Sequence, residues 1–188
     1  MKIVSYNVNG IRSAISKGLL EWIAIDQADI YCFQELKANK ENIDIASFEK
    51  MGYNTYWFSA QKKGYSGVGV ITKLKPKEVR YGCGLEQADA EGRVLQLSFE
   101  QFDLINTYFP SGSSGEGRQA YKMKFLEEYL HLVSSKLEEK NTNLIIAGDY
   151  NICHKAIDIH DPKGNKDSSG FLPEEREWFD RFFDTGMV

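Results

Sequence analysis

The chain has 188 residues, 42% hydrophobic and 27% charged, with a net charge of −4. That balance supports one folded core, excludes a low-complexity chain, and argues against a surface that binds nucleic acid over its whole extent. Cys32, Cys83 and Cys153 are odd in number and lack CxxC spacing, which excludes a disulfide framework; no apolar run approaches the roughly 20 residues of a membrane span, and no signal-like segment opens the sequence.

In chain order, short β-like runs fall at residues 2–5, 30–33, 53–59, 67–72, 79–82, 94–99, 104–108 and 144–147, and helical patterns separate some of them. Residues 94–99 alternate Leu95, Leu97 and Phe99 with Gln96 and Ser98, which predicts a half-buried strand. The continuous run 144–147 predicts a strand covered on both faces. A helix is predicted over 18–26. A longer one over 118–140 carries Phe125, Leu126, Tyr129, Leu130, Leu132, Val133 and Leu137 as an apolar stripe suited to packing on a sheet. A third begins at Pro173, with Glu174 and Glu175 near its positive end and Gly186 as its stop. Segments 111–117 and 161–170 read as loops, and neither marks a domain boundary, so residues 1–188 read as a single α/β domain. Lysine clusters at 62–63, 73/75/77 and 122/124 read as solvated surface.

Polar residues recur just beyond strand ends: Asn7 and Asn9 after the first, Gln34 and Glu35 after the second, Asp149 and Asn151 after the last. Singly, each fits a turn, a cap or a surface carboxylate. Together they fit a site assembled from distant strand ends along one sheet edge. Cys153, His154 and His160 are too few and wrongly spaced for a closed zinc site.

The segments 5–10 (SYNVNG), 34–37 (QELK), 64–69 (GYSGVG), 91–94 (EGRV), 108–110 (YFP), 148–151 (GDYN), 162–166 (PKGNK) and 170–176 (GFLPEER) occur in the order of the exonuclease III family of abasic-site endonucleases. That family lies within the endonuclease/exonuclease/phosphatase superfamily, and the chain resembles its bacterial branch over essentially its whole length. The resemblance implies a four-layered α/β sandwich with two central mixed β-sheets, DNase I-like. It implies magnesium-dependent hydrolysis of the phosphodiester 5′ to an abasic site in duplex DNA, with 3′-phosphodiesterase and 3′→5′ exonuclease action at damaged 3′ ends.

By the same resemblance, Asn7 and Glu35 hold Mg2+, for which Mn2+ can substitute. Asp149 takes the proton of the attacking water, Asn151 donates to a phosphate oxygen, and Tyr108 places its phenol on the phosphate. Arg12, Lys17, Tyr65, Arg118 and Asn165 contact DNA. An oxygen donor set suits magnesium, which keeps several waters and needs only one or two carboxylates. Contacts to phosphate and sugar position a duplex without reading its sequence. A cytoplasmic, nucleoid-associated location follows, with no membrane partner and an oligomeric state the sequence leaves open.

Two departures set further expectations. Family members continue through an aromatic segment, a leaving-group Asp and a terminal Asp-His pair, none of which has a counterpart in these residues, so this chain is expected to be inactive or weakly active, with an open sheet edge. Ser111 stands where many relatives carry Asn and Ser168 where some do, which bears on the balance between incision and exonuclease action. Two other readings are a phosphodiesterase acting on lipid phosphates and a non-catalytic DNA-binding remnant. The Tyr65 segment and the PKGN loop count against the first.

Overall fold

The computed structural model describes residues 1–139 and 143–188. The chain divides into two compact units: Met1–Tyr108 with Asn143–Asp149, and the segment from Phe109 through the long helix together with Tyr150–Val188.

The first unit holds eight strands: β1 (Ile3–Asn7), β2 (Ile30–Gln34), β3 (Asn54–Phe58), β4 (Val68–Thr72), β5 (Glu78–Tyr81), β6 (Val94–Ser98), β7 (Asp103–Tyr108) and β8 (Leu144–Asp149). They form two four-stranded sheets, in the orders β1-β2-β4-β3 and β5-β6-β7-β8. Each sheet is mixed: β1/β2 and β7/β8 run parallel and the other pairs antiparallel. The expected α/β class with two mixed sheets is what the chain adopts.

The period of two explains the packing. All five residues of β2 are buried because its faces meet different layers. Tyr31 and Phe33 point to one face, where Ile11, Leu19, Ile23 and Phe48 cover them. Those residues come from three short helices, α1 (Ile11–Ser16), α2 (Leu19–Asp26) and α3 (Ile45–Lys50). Ile30 and Cys32 point the other way, into a core shared with Val68, Val70, Leu95, Leu97 and Leu104 from both sheets. Burial there pushes the Cys32 thiol up to about 12, so it packs as a small apolar group.

Two expectations are corrected in this unit. The run 144–147 is half-buried rather than covered on both faces, because β8 is the outermost strand of its sheet among the described residues and only Ile145 and Ala147 pack into the shared core. Gln96 is buried rather than solvent-facing, and its Nε2 donates to the Gly82 carbonyl at 2.7 Å. Short helices α1, α3 and α4 (Glu86–Ala90) carry too few turns to leave a periodic signal, and none was predicted.

The second unit is built on α5 (Glu116–Glu138) and α6 (Pro173–Asp184). The predicted helix began two residues late, and its last position, Lys140, lies outside the described residues. Within this unit the buried stripe of Phe125, Leu126, Tyr129 and Val133 meets α6, where Trp178 Nε1 donates to the Leu126 carbonyl at 2.8 Å. Phe109 sits at the centre of an aromatic cluster, with ring centroids 5.1 Å from Phe125, 4.8 Å from Tyr129 and 5.6 Å from Trp178. No helix among the described residues is long and apolar enough to cross a membrane.

Gly148 marks where β8 closes most tightly on β7. A Cβ there would lie 2.1 Å from the Thr107 carbonyl oxygen, a backbone atom held in the β7/β8 ladder. Gly148→Ala should therefore push the strands apart and cost about 1–3 kcal/mol, read as a lower urea midpoint with an unchanged m-value.

Candidate active site

In the first unit, parallel pairing sets Asn7 opposite Gln34 at the ends of β1 and β2, and Tyr108 opposite Asp149 at the ends of β7 and β8. A side-chain bond then joins the two sheets: Asn7 Nδ2 donates to Asp149 Oδ2 at 2.7 Å, across 142 positions of sequence. The other end of the same amide is fixed, because Asn7 Oδ1 accepts from the Asn9 amide at 2.9 Å. One carboxylate oxygen of Asp149 is thus oriented by a neutral donor, as a proton acceptor needs. Asn7→Ala should leave the fold intact and misplace that carboxylate, reducing any Asp149-dependent turnover by about 100-fold in a steady-state assay.

The segment carrying Glu35 is held in an unusual backbone state. Asn9 (φ 44°), Glu35 (φ 61°), Lys37 (φ 49°) and Ser66 (φ 41°) all occupy the left-handed region, which non-glycine residues rarely adopt. Such conformations persist where surrounding structure enforces them, and they cluster at functional sites. Here a backbone weave enforces them: Gly10 donates to the Glu35 carbonyl (2.8 Å), Ile11 to Leu36 (2.9 Å), Leu36 to Gly67 (3.1 Å) and Lys37 to Ser66 (2.8 Å). Lys37 Nζ pairs with Glu35 Oε1 at 2.9 Å and donates to Asn9 Oδ1. The Glu35 side chain is 20% exposed, so it reaches water.

Glu35 and Asn7 carry oxygens of the kind a hard divalent cation takes, and Glu35 Oε1 is held by the Lys37 ammonium, which a bound cation would have to displace or share. Among the described residues no group of three or more His, Cys, Asp or Glu is placed to hold a metal ion, so a cation here would rely on few protein ligands and on water.

A buried polar network underlies these strand ends. Gln34 Nε2 donates to Asn106 Oδ1 (2.7 Å), and Asn106 Nδ2 donates to the carbonyls of Phe33 (3.0 Å) and Gly69 (2.9 Å), stitching one sheet to the other. Both residues are nearly inaccessible. A fully satisfied buried network fixes register, and so fixes where Asn7 and Asp149 end up. The sequence reading placed Gln34 near the site but missed Asn106, whose signal was an amide inside the apolar run Leu104-Ile105-Asn106-Thr107.

Tyr108 is half-exposed at the end of β7, with the Arg93 guanidinium 5.0 Å from its ring centroid. Tyr65 is half-exposed on the loop before β4, under Lys62 Nζ at 5.2 Å. Lys17, at the end of α1, lines a cavity of 620 Å³ together with Asn7, Asn9 and Trp22, whereas Arg12 stands exposed on α1.

The remaining candidates belong to the second unit. Asn151 is also left-handed (φ 50°); its Nδ2 donates to the Phe109 carbonyl at 2.9 Å, and its own carbonyl accepts from Lys122 Nζ at 2.8 Å. Lys122 is not solvated as expected: it and Glu175 are wholly buried and ion-paired at 2.7 Å. Placed on the inward side of α5, Lys122 is removed from water by the turn of the helix that leaves Lys124 outside. Glu175 does more than face a helix dipole. Its Oε2 accepts the amides of Gly170 (2.6 Å) and Leu172 (3.1 Å), which the start of α6 would otherwise leave unpaired. Arg118 lies over the Tyr121 ring at 4.6 Å. Asn165 spends its amide hydrogens inside its own loop, on the carbonyls of His160 (2.9 Å) and Asp161 (3.0 Å).

The first unit therefore defines an α/β protein of two facing mixed sheets whose carboxylates and amides collect at strand ends. Over residues 4–187 the sequence matches the endonuclease/exonuclease/phosphatase family, and the chain belongs to that family. It is 39% identical over 189 residues to an exodeoxyribonuclease of Bacillus subtilis, covering 100% of this chain and 73% of that protein. It is 40% identical to a DNA-(apurinic or apyrimidinic site) endonuclease of Dictyostelium discoideum, again over 100% of this chain but 52% of the relative. An AP endonuclease structure from Archaeoglobus fulgidus superposes with a TM-score of 0.89 at 27% identity, covering 100% of this chain and 72% of the other. The chain thus spans between about half and three quarters of the length of these relatives. Nucleases of the family are generally dependent on a divalent metal.

Proposed function

We propose that this chain carries the phosphodiester-hydrolysing site of a DNA repair nuclease that acts on duplex DNA 5′ to abasic sites and at damaged 3′ ends, with magnesium as its metal, in a bacterial cytoplasm. The observation that carries this reading is the Asn7–Asp149 hydrogen bond, which sets a carboxylate beside the strand end that leads to Glu35. The names and similarity of the relatives support the choice of DNA as substrate.

In this reading Asp149 accepts the proton of the attacking water, and Asn7 holds that carboxylate in line. Glu35 and Asn7 would hold the divalent ion, which when bound neutralises charge gathering on the phosphate oxygens. Tyr108 donates its phenol to the phosphate, and Asn151 contributes an amide hydrogen to a non-bridging oxygen. Lys17, Arg12, Tyr65 and Arg118 grip the backbone of the duplex, so binding should weaken steeply with salt, while Asn165, whose amide hydrogens close its own loop, shapes that loop instead of donating to phosphate.

The test is incision of an end-labelled duplex bearing one abasic analogue, in Mg2+, in Mn2+ and in chelator. A single weak cut on the 5′ side that needs either metal is expected. Absence of any metal-dependent cut, or release of phosphate from lipid substrates instead, would overturn the proposal.

A further inference from the structure

We infer that Arg93 is a positioning residue that aligns Tyr108 and Tyr65 together, an assignment that rests on the phosphodiesterase reading above. Arg93 follows the turn at residues 91–92, immediately before β6, and is only 2% exposed, although its guanidinium is charged. One carboxylate answers it: Glu91, two residues back, takes its Nε. The rest of the guanidinium is directed at two tyrosines. Nη1 donates to the Tyr108 carbonyl at 2.8 Å, while the Arg93 carbonyl accepts from the Tyr108 amide at 2.9 Å, so the two residues clasp one another through the backbone. The guanidinium also lies 5.0 Å from the Tyr108 ring centroid, within cation–π range, and Nη2 reaches the Tyr65 hydroxyl at a long 3.4 Å.

A buried ion pair is weak evidence for stability, since an apolar side chain of like size packs as well without the desolvation cost. What only a planar, five-donor cation can do is meet two tyrosines and a carboxylate from one place. Tyr65 and Tyr108 lie 43 positions apart in sequence, on the loop before β4 and at the end of β7, and Arg93 is where both are answered. The Tyr65 hydroxyl and the Tyr108 ring thus share one support, the Arg93 guanidinium.

The experiment compares Arg93→Lys, Arg93→Met, Tyr108→Phe and the Arg93→Lys/Tyr108→Phe double variant. Lysine keeps the pair with Glu91 but lacks the plane and the fork. For Arg93→Lys, kcat on the abasic duplex should fall by about 10- to 100-fold and KM should rise, and in the Tyr108→Phe background the kcat effect should nearly vanish. A readout independent of turnover is the NMR spectrum of protein labelled with ring-13C tyrosine, the two signals being assigned by their loss in Tyr108→Phe and Tyr65→Phe. Arg93→Lys should shift both and leave the other eight of the ten tyrosines in place. Unmoved Tyr108 and Tyr65 signals, or an undiminished kcat loss in the Tyr108→Phe background, would overturn the assignment. Absence of cutting by the unsubstituted chain would instead count against the phosphodiesterase reading, with the tyrosine shifts still deciding the role of Arg93. If Arg93→Met fails to fold, Arg93→Lys carries the test.

Discussion

Asp149→Asn is expected to reduce metal-dependent incision by about 10³- to 10⁴-fold while leaving the fold and its denaturation midpoint essentially unchanged. The geometry makes this a clean substitution. Asparagine keeps the shape of the side chain and one carbonyl oxygen, so it still accepts from Asn7 Nδ2 where Asp149 Oδ2 does now. What it loses is the capacity to take a proton from water. The Asn7→Ala variant keeps the base but removes its orientation and one of the two oxygen donors proposed for the metal. A larger loss for Asp149→Asn than for Asn7→Ala would place proton acceptance at Asp149. Equal losses would show that the pair acts only as a unit, and residual cutting by Asp149→Asn at near the normal rate would remove this carboxylate from the reaction.

The second large effect concerns stability. Breaking the Lys122–Glu175 pair from one side, as in Lys122→Met, should cost about 3–5 kcal/mol, because both side chains are wholly buried and the carboxylate left behind has no water to turn to. Replacing both partners with apolar residues removes the lone-charge penalty but not the whole cost. The amides of Gly170 and Leu172 and the carbonyl of Asn151 would still lose their partners, at about 1–3 kcal/mol for each group left buried and unsatisfied. Urea denaturation of the two single variants and the double variant tests this. If the double variant is as stable as the unsubstituted chain, the network is an ion pair alone and its backbone bonds contribute nothing. The same variants probe Asn151, whose left-handed backbone is clasped between Lys122 Nζ and the Phe109 carbonyl.

Strand positions were legible because a half-buried or doubly covered strand must show its periodicity in the residues themselves. Each of the eight predicted runs overlaps an observed strand to within a residue or two. The helices α2, α5 and α6 were legible for the same reason, with several turns of apolar spacing. Short helices such as α1 and α4 were not, since one turn or two leaves no period to read. The exposure of residues 144–147 was misread because an apolar run reports what a strand is able to bury, while its place at the outside of the sheet decides what it does bury.

Residue chemistry at the strand ends was visible in Asn7, Glu35, Tyr108, Asp149 and Asn151, and the order of the segments that carry them, together with GYSGVG, PKGNK and GFLPEER, pointed to the family to which the chain belongs. Lys122 and Arg93 show the limit of that reading. A lysine beside another lysine looks solvated, and an arginine in an EGRV segment looks like part of a motif, until the fold removes each from water and supplies its counter-charge.

The sequence by itself determined the α/β class, the strand runs, the identity of the candidate acids and amides and the family, because those depend on local periodicity and on residue type. Tertiary structure alone decided that Asn7 Nδ2 meets Asp149, that Gln34 and Asn106 lock the two sheets in register, and that Arg93 answers two tyrosines. These are contacts between positions 15 to 142 residues apart, and which distant groups share a partner is set by sheet pairing and packing rather than by anything a single segment encodes.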